Sequence, residues 1–185
     1  MATGDVRARM VSTAARLLAE NGPPGASLGD VLVSSGASRG STYHHFPGGK
    51  RELYVAALDL ASDRGYAALE GVRGQSSRVI LEQFFAMWHT LLTRTDLRSG
   101  CAVLAVAVAG EDPATIVHAG EIFRSWRAHL ESLLIEAGTE PARARTLAAV
   151  AIAAAEGAVA VARAEQSLEV FELVAAEVMR VGTES

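Results

Sequence analysis

The chain has 185 residues, half of them apolar and about a fifth charged. That is enough apolar material for one large domain or a small one joined to a medium one, and it excludes a mainly disordered chain. A formal charge of −4 excludes the coating of nucleic acid by bulk positive charge, and a single cysteine, Cys101, excludes an internal disulfide framework.

Residues 1–10 carry Asp5, Arg7 and Arg9 and no apolar stretch, so no secretory leader is expected. The longest apolar run, Leu147 to Ala162, contains Glu156 and Gly157 and falls short of the roughly 20 residues of a bilayer span. A soluble, cytoplasmic protein with no membrane partner is therefore expected. The charge is unevenly spread. Residues 1–51 carry a net +3 and the remainder −7, a basic head on an acidic body, which steers the head toward a polyanion. Lys50 is the only lysine.

In chain order, almost every element reads as helix. Val6, Met10, Ala14, Leu17 and Leu18 recur at spacings of three and four, which makes one apolar face of a first helix ending at Asn21-Gly22. Ser27, three residues before Asp30, is a capping-box variant opening a second helix from about Leu28 to Ser34. Gly36 breaks it, and Ser38 caps a short third helix from Arg39 to His44 or His45. Phe46-Pro47-Gly48-Gly49 is a second break, with Phe46 expected in the core. A long helix follows from Lys50 to about Gly71, then a small, polar linker to Ser77.

The next helix covers about Ser77 to Thr93. Gly100 to Ala109 alternates like a strand but has no partner strand, so it reads as a buried helix. Asp112-Pro113 opens a helix to Glu136, Pro141 another to about Glu165, and Ser167 caps a last one ending near Val181-Gly182.

The informative segment is Ser27 to His45: helix, glycine-containing turn, short helix, the helix-turn-helix order. Its second helix carries Ser38, Arg39, Gly40, Ser41, Thr42, Tyr43 and His44. Small residues let a backbone approach base edges, Arg can bond guanine O6 and N7, and hydroxyls reach phosphate oxygens. A core helix does not have this composition.

Residues 7–54 resemble the DNA-binding domain of the TetR family of bacterial transcriptional repressors. The run GASRGSTYHHFPGGKRELY, Gly36 to Tyr54, carries the resemblance. Gly100-Cys101 resembles the LmrA/YxaF-like subgroup. The family implies that Arg39 meets a base edge or phosphate, Gly40 sits at closest approach, and Ser41 and Thr42 face groove or backbone. It further implies that Tyr43 and His44 touch phosphates, Lys50 neutralises another, and Ser27 serves as both cap and phosphate contact. Gly29 and Leu32-Val33 depart from the family pattern, which more often has an Ile-Ala pair.

The expected fold is therefore all-α, with about nine helices. Residues 1–49 would form a three-helix helix-turn-helix domain, residues 50–71 a linking helix, and residues 72–185 a helical ligand-binding and dimerisation bundle. The helix from Pro141 is apolar nearly all round and must be covered, and the last helix offers Leu168, Phe171, Val174, Val178 and Val181. A homodimer through these two helices is expected, since reading two half-sites requires a symmetric protein. Phe84, Trp88, Cys101, Phe123 and Trp126 are candidates for contact with a small hydrophobic effector, and Glu156 on the apolar helix is either a satisfied interface carboxylate or a ligand anchor.

No cofactor or metal is expected. Adjacent His44 and His45 point about 100° apart on a helix and make poor joint ligands. Phosphate-loop, zinc-protease, di-iron and serine-hydrolase patterns are all absent, so nothing positive supports an enzyme. The expected function is a dimeric repressor on a palindromic double-stranded DNA operator, released by the effector. The alternatives are a helical small-molecule-binding protein without DNA binding, and a TetR-like activator.

Overall fold

The computed structural model describes residues 3–183. Nine α-helices and one 3₁₀ turn, with no strand, make up the described residues: α1 (Thr3–Asn21), the turn (Pro23–Gly25), α2 (Leu28–Ser35), α3 (Arg39–His45), α4 (Gly49–Glu70), α5 (Ser77–Arg94), α6 (Ala102–Ala109), α7 (Pro113–Glu136), α8 (Pro141–Glu165) and α9 (Glu169–Thr183). The ends follow local chemistry. Ser27 Oγ accepts from the Asp30 N–H while Asp30 Oδ2 accepts from the Ser27 N–H, closing the capping box. Gly36 ends α2 in the left-handed region at φ 66°, where a side chain would be strained, and Ser38 Oγ caps α3 through the Ser41 N–H.

The chain divides into two compact units, residues 1–63 with 101–122 and residues 64–100 with 123–185. Helices α4 and α7 therefore each contribute to both. This division places α6 and the first turns of α7 with the N-terminal helices.

In the first unit, Met10, Ala14, Leu17 and Leu18 of α1 are buried, as the periodicity requires, with Val31, Phe46, Leu53, Ala57 and Leu58. Helix α6 packs on α1 and on the 3₁₀ turn. It buries Ala102, Val103 and Val106 but leaves Val108 three-quarters exposed, so it is not the wholly buried helix the sequence suggests. Cys101 caps it: the thiol sulfur accepts from the Leu104 N–H at 3.3 Å.

Tyr54 ties this unit together. Its ring is buried, and its hydroxyl lies 3.2 Å from the Pro23 carbonyl and 3.1 Å from that of Ala26. Burial, with Glu111 and Asp30 nearby, pushes the phenol up to about 12.

In the second unit, α5, α8 and α9 pack against one another. Phe85 meets Phe171 edge-on, and a Cβ at Gly182 would fall 2.4 Å from Leu81 Cδ1, so α9 lies close against α5. Phe171 and Val178, expected to face a partner subunit, are spent inside this bundle. Helix α8 has 25 residues and is long and apolar enough to cross a membrane, although the apolar run read from the sequence is too short. Half of that apolar window is buried in the protein, and Glu156 sits buried within it. Beside these helices, Arg73 bridges Glu70 and Glu136 and holds both carboxyls below the usual range.

Tyr54→Phe keeps the ring and deletes the hydroxyl that two buried carbonyls face. It should lower unfolding stability by about 1–2 kcal/mol, read as a lower urea midpoint at unchanged slope.

Candidate nucleic-acid interface

Helix α3 has only seven residues, too short to be stable alone. Its neighbours hold it. Thr42 is buried beneath it, and Phe46, which ends it, is fully buried with its N–H on the Thr42 carbonyl at 2.7 Å. Ser38, Arg39, Gly40, Tyr43 and His44 are exposed, Ser41 partly so, and Tyr43 is 77% exposed. The structure therefore gathers most of the candidate contacts on one open surface.

Two assignments change. Thr42 cannot face a groove, because it packs inward at 1% exposure. In a helix so short, with small polar residues on every side, no periodic pattern marks the inner position in advance. Ser27 caps α2, but its hydroxyl also lies 2.5 Å from Asp30 Oδ2 and donates there. Its proton is thus committed beside a carboxylate that would repel a phosphate.

Lys50 stands in the first turn of α4, exposed, with Nζ 5.1 Å from the centre of the Tyr54 ring. Arg7 of α1 covers the Phe46 ring in the same way at 5.2 Å. His44 and His45 meet edge-on with centroids 4.9 Å apart. Among the described residues, no group of three or more His, Cys, Asp or Glu is placed to hold a metal.

Next to Lys50, Arg51 forms a two-pronged ion pair with Asp112 at the start of α7, Nε to Oδ2 at 2.8 Å and the second prong at 2.9 Å. The pair raises the guanidinium and lowers the carboxyl relative to their ordinary values. A cavity of about 230 Å³ opens beside it, lined by Pro23, Lys50, Arg51, Tyr54, Gly110, Glu111, Asp112 and Thr115. The sequence reading missed Arg51 and Arg7 because their partners are distant along the chain. In the sequence Tyr54 marks only the end of a motif.

The candidate effector residues are not all brought together. Phe84 and Trp88 are buried neighbours on α5, and Phe123 and Trp126 are half-buried on α7 with rings edge-on at 5.5 Å, all in the second unit. Cys101 belongs to the first unit, where it caps α6. Among the described residues, the buried indole N–H of Trp88 has no hydrogen-bond partner.

Comparison with known proteins agrees with this arrangement. Residues 11–57 match the family described as bacterial regulatory proteins, tetR family. Residues 79–177 match the transcriptional regulator LmrA/YxaF-like C-terminal domain. An uncharacterized HTH-type transcriptional regulator of Mycobacterium tuberculosis is 35% identical over 175 residues, covering 91% of this chain and 89% of that one. The HTH-type transcriptional regulator LmrA of Bacillus subtilis is 26% identical over 167 residues, covering 86% and 87%. The crystal structure of a TetR-family transcriptional regulator from Agrobacterium tumefaciens superposes with a TM-score of 0.84 at 18% identity, over 97% of this chain and 98% of that one, a likeness of fold. With a helix-turn-helix that leaves its second helix open to a duplex and matches over both halves of the sequence, the chain belongs to the TetR family of bacterial transcriptional regulators and carries an LmrA/YxaF-like C-terminal domain.

Proposed function

We propose that the chain is a cytoplasmic repressor that binds a palindromic operator as a homodimer and is released by a small hydrophobic effector. The observation that carries the DNA part is Gly40. A Cβ there would meet only Ser38 Oγ, at 3.8 Å, so nothing among the described residues requires glycine. An approaching duplex does. Arg39 reads a base edge or a phosphate. Tyr43 and His44 contact phosphates, Ser38 and Ser41 border the groove, and Lys50 neutralises a phosphate at the N-terminus of α4, where the helix dipole also favours an anion. Thr42 and Ser27 are left out of this set for the reasons given above.

Dimerisation is supported by an unpartnered face on the last two helices. Val150, Ala153, Gly157, Ala160, Val161 and Ala164 are exposed on α8, and Leu173 and Val181 on α9. Small side chains allow a close approach of helices across a two-fold axis. The effector reading rests on Trp88, whose buried N–H is a donor awaiting an oxygen in an apolar, aromatic setting. The effector lowers operator affinity only to the extent that it binds the DNA-incompetent state more tightly.

Gly40→Ala should raise helix stability by up to about 1 kcal/mol, seen in thermal melts, yet weaken binding to duplex DNA. Unchanged binding in this stabilised variant would remove the close-approach argument. Lys50→Ala should weaken binding to all sequences and flatten the dependence of log K on log salt by about 0.9 per subunit, whereas Arg39→Ala should relax sequence preference. DNA from the region upstream of the chain's own gene is the first probe. A protein that ignores it at low salt is instead a helical small-molecule binder, and one that binds it but raises transcription is an activator. Val150→Glu should convert a dimer to a monomer in sedimentation velocity with helicity intact. If a screen of hydrophobic compounds finds none that shifts operator affinity, the effector part falls.

A further inference from the structure

The fork between Arg51 and Asp112 joins a rigid carboxylate to a loosely held cation. Asp112 is fixed on three sides. Its Oδ1 accepts from the Ala114 N–H at 3.4 Å, and its carbonyl accepts from the N–H groups of Thr115 and Ile116 and from the Thr115 hydroxyl. The turn leading into it is equally tight, since a Cβ at Gly110 would fall 2.5 Å from the Val106 carbonyl oxygen. Arg51, by contrast, has a side chain 64% exposed, and the cavity beside it leaves room to swing. It is the immediate neighbour of Lys50 in the first turn of α4. A solvent-exposed ion pair is worth only about 0–1 kcal/mol, so a phosphate is a realistic competitor for this guanidinium.

We propose that Asp112 sets the DNA affinity of the head by withholding Arg51: the fork keeps a second cation of the α4 N-terminus off the phosphates, and opening it adds one phosphate contact per subunit. The inference rests on the DNA-binding reading above. It makes the first turn of α7 a brake on that binding. A second tie between the same two helices in this unit, His118 Nε2 to Asp59 Oδ1 at 2.7 Å, keeps α7 against α4, so the fork stays closed while this packing holds.

The test uses a labelled mixed-sequence duplex, because phosphate contacts do not depend on sequence, titrated at a series of salt concentrations with four proteins: wild type, Asp112→Asn, Arg51→Ala and the double variant. Asparagine still caps a helix. Asp112→Asn should steepen the salt dependence by about 0.9 per subunit, so that a fourfold drop in salt tightens binding about 3.5-fold more than in wild type for each arginine released. Arg51→Ala should leave the wild-type slope unchanged, and in that background Asp112→Asn should add nothing to it. Arg51→Lys, which keeps the charge but cannot form the fork and leaves Asp112 untouched, should steepen the slope as Asp112→Asn does. An equal effect of Asp112→Asn with and without Arg51 would reduce the effect to bulk charge and overturn the proposal. So would a flatter slope in Arg51→Ala, or no steepening in either fork-breaking variant. Failure of the wild type to bind duplex at low salt would overturn the DNA reading itself, and the proposal with it.

Discussion

The exposed face of α3 depends on one buried hydroxyl. Tyr54, in the second turn of α4, faces the carbonyls of Pro23 and Ala26 and so fastens the connection between α1 and α2 to the helix that follows α3. Phe46 does the matching work from the other side, fully buried at the junction of α3 and α4 under the guanidinium of Arg7. These two anchors flank α3, whose seven residues could not sustain a helix alone in water. Its outward side can then be given over to serine, glycine, arginine and tyrosine. The apolar contacts that hold it belong to its neighbours.

This separation of holding from reading extends into the charge pattern. Three of the six positive residues in the first 51 positions are stationed by something other than DNA: Lys50 by the Tyr54 ring, Arg7 by the Phe46 ring, Arg51 by Asp112. Pre-positioned cations lose less side-chain entropy when a polyanion arrives. An arginine held by a carboxylate must first give that partner up, which makes it a point of control rather than a permanent contact.

Much of this was legible in the sequence because it is local. Ser27 with Asp30, Gly36, Ser38, Asp112-Pro113 and Ser167 mark helix ends within four residues of themselves, and those ends fall where they were expected. Other caps carry no such mark, although Pro141 itself announces the start of α8. Glu140 caps α8 with its carboxylate on two N–H groups, Cys101 caps α6 with sulfur, and Gln166 ends α8 in the left-handed region without being glycine. Orientation was harder to read than identity. Thr42 is turned inward at 1% exposure, and Phe171 and Val178 serve their own bundle, where α5 packs on α9. Partners far along the chain decide both. The same holds for the fork, whose two residues are 61 positions apart.

One compositional accident gives the molecule an unusual chemical simplicity. Lys50 is the sole lysine, so the chain has a single side-chain amine, and that amine stands on the surface at the first turn of α4. Acylation of a lysine, which erases its charge, can therefore strike only here. One covalent mark would report on, and discharge, the turn where a grip on the sugar-phosphate rail is proposed.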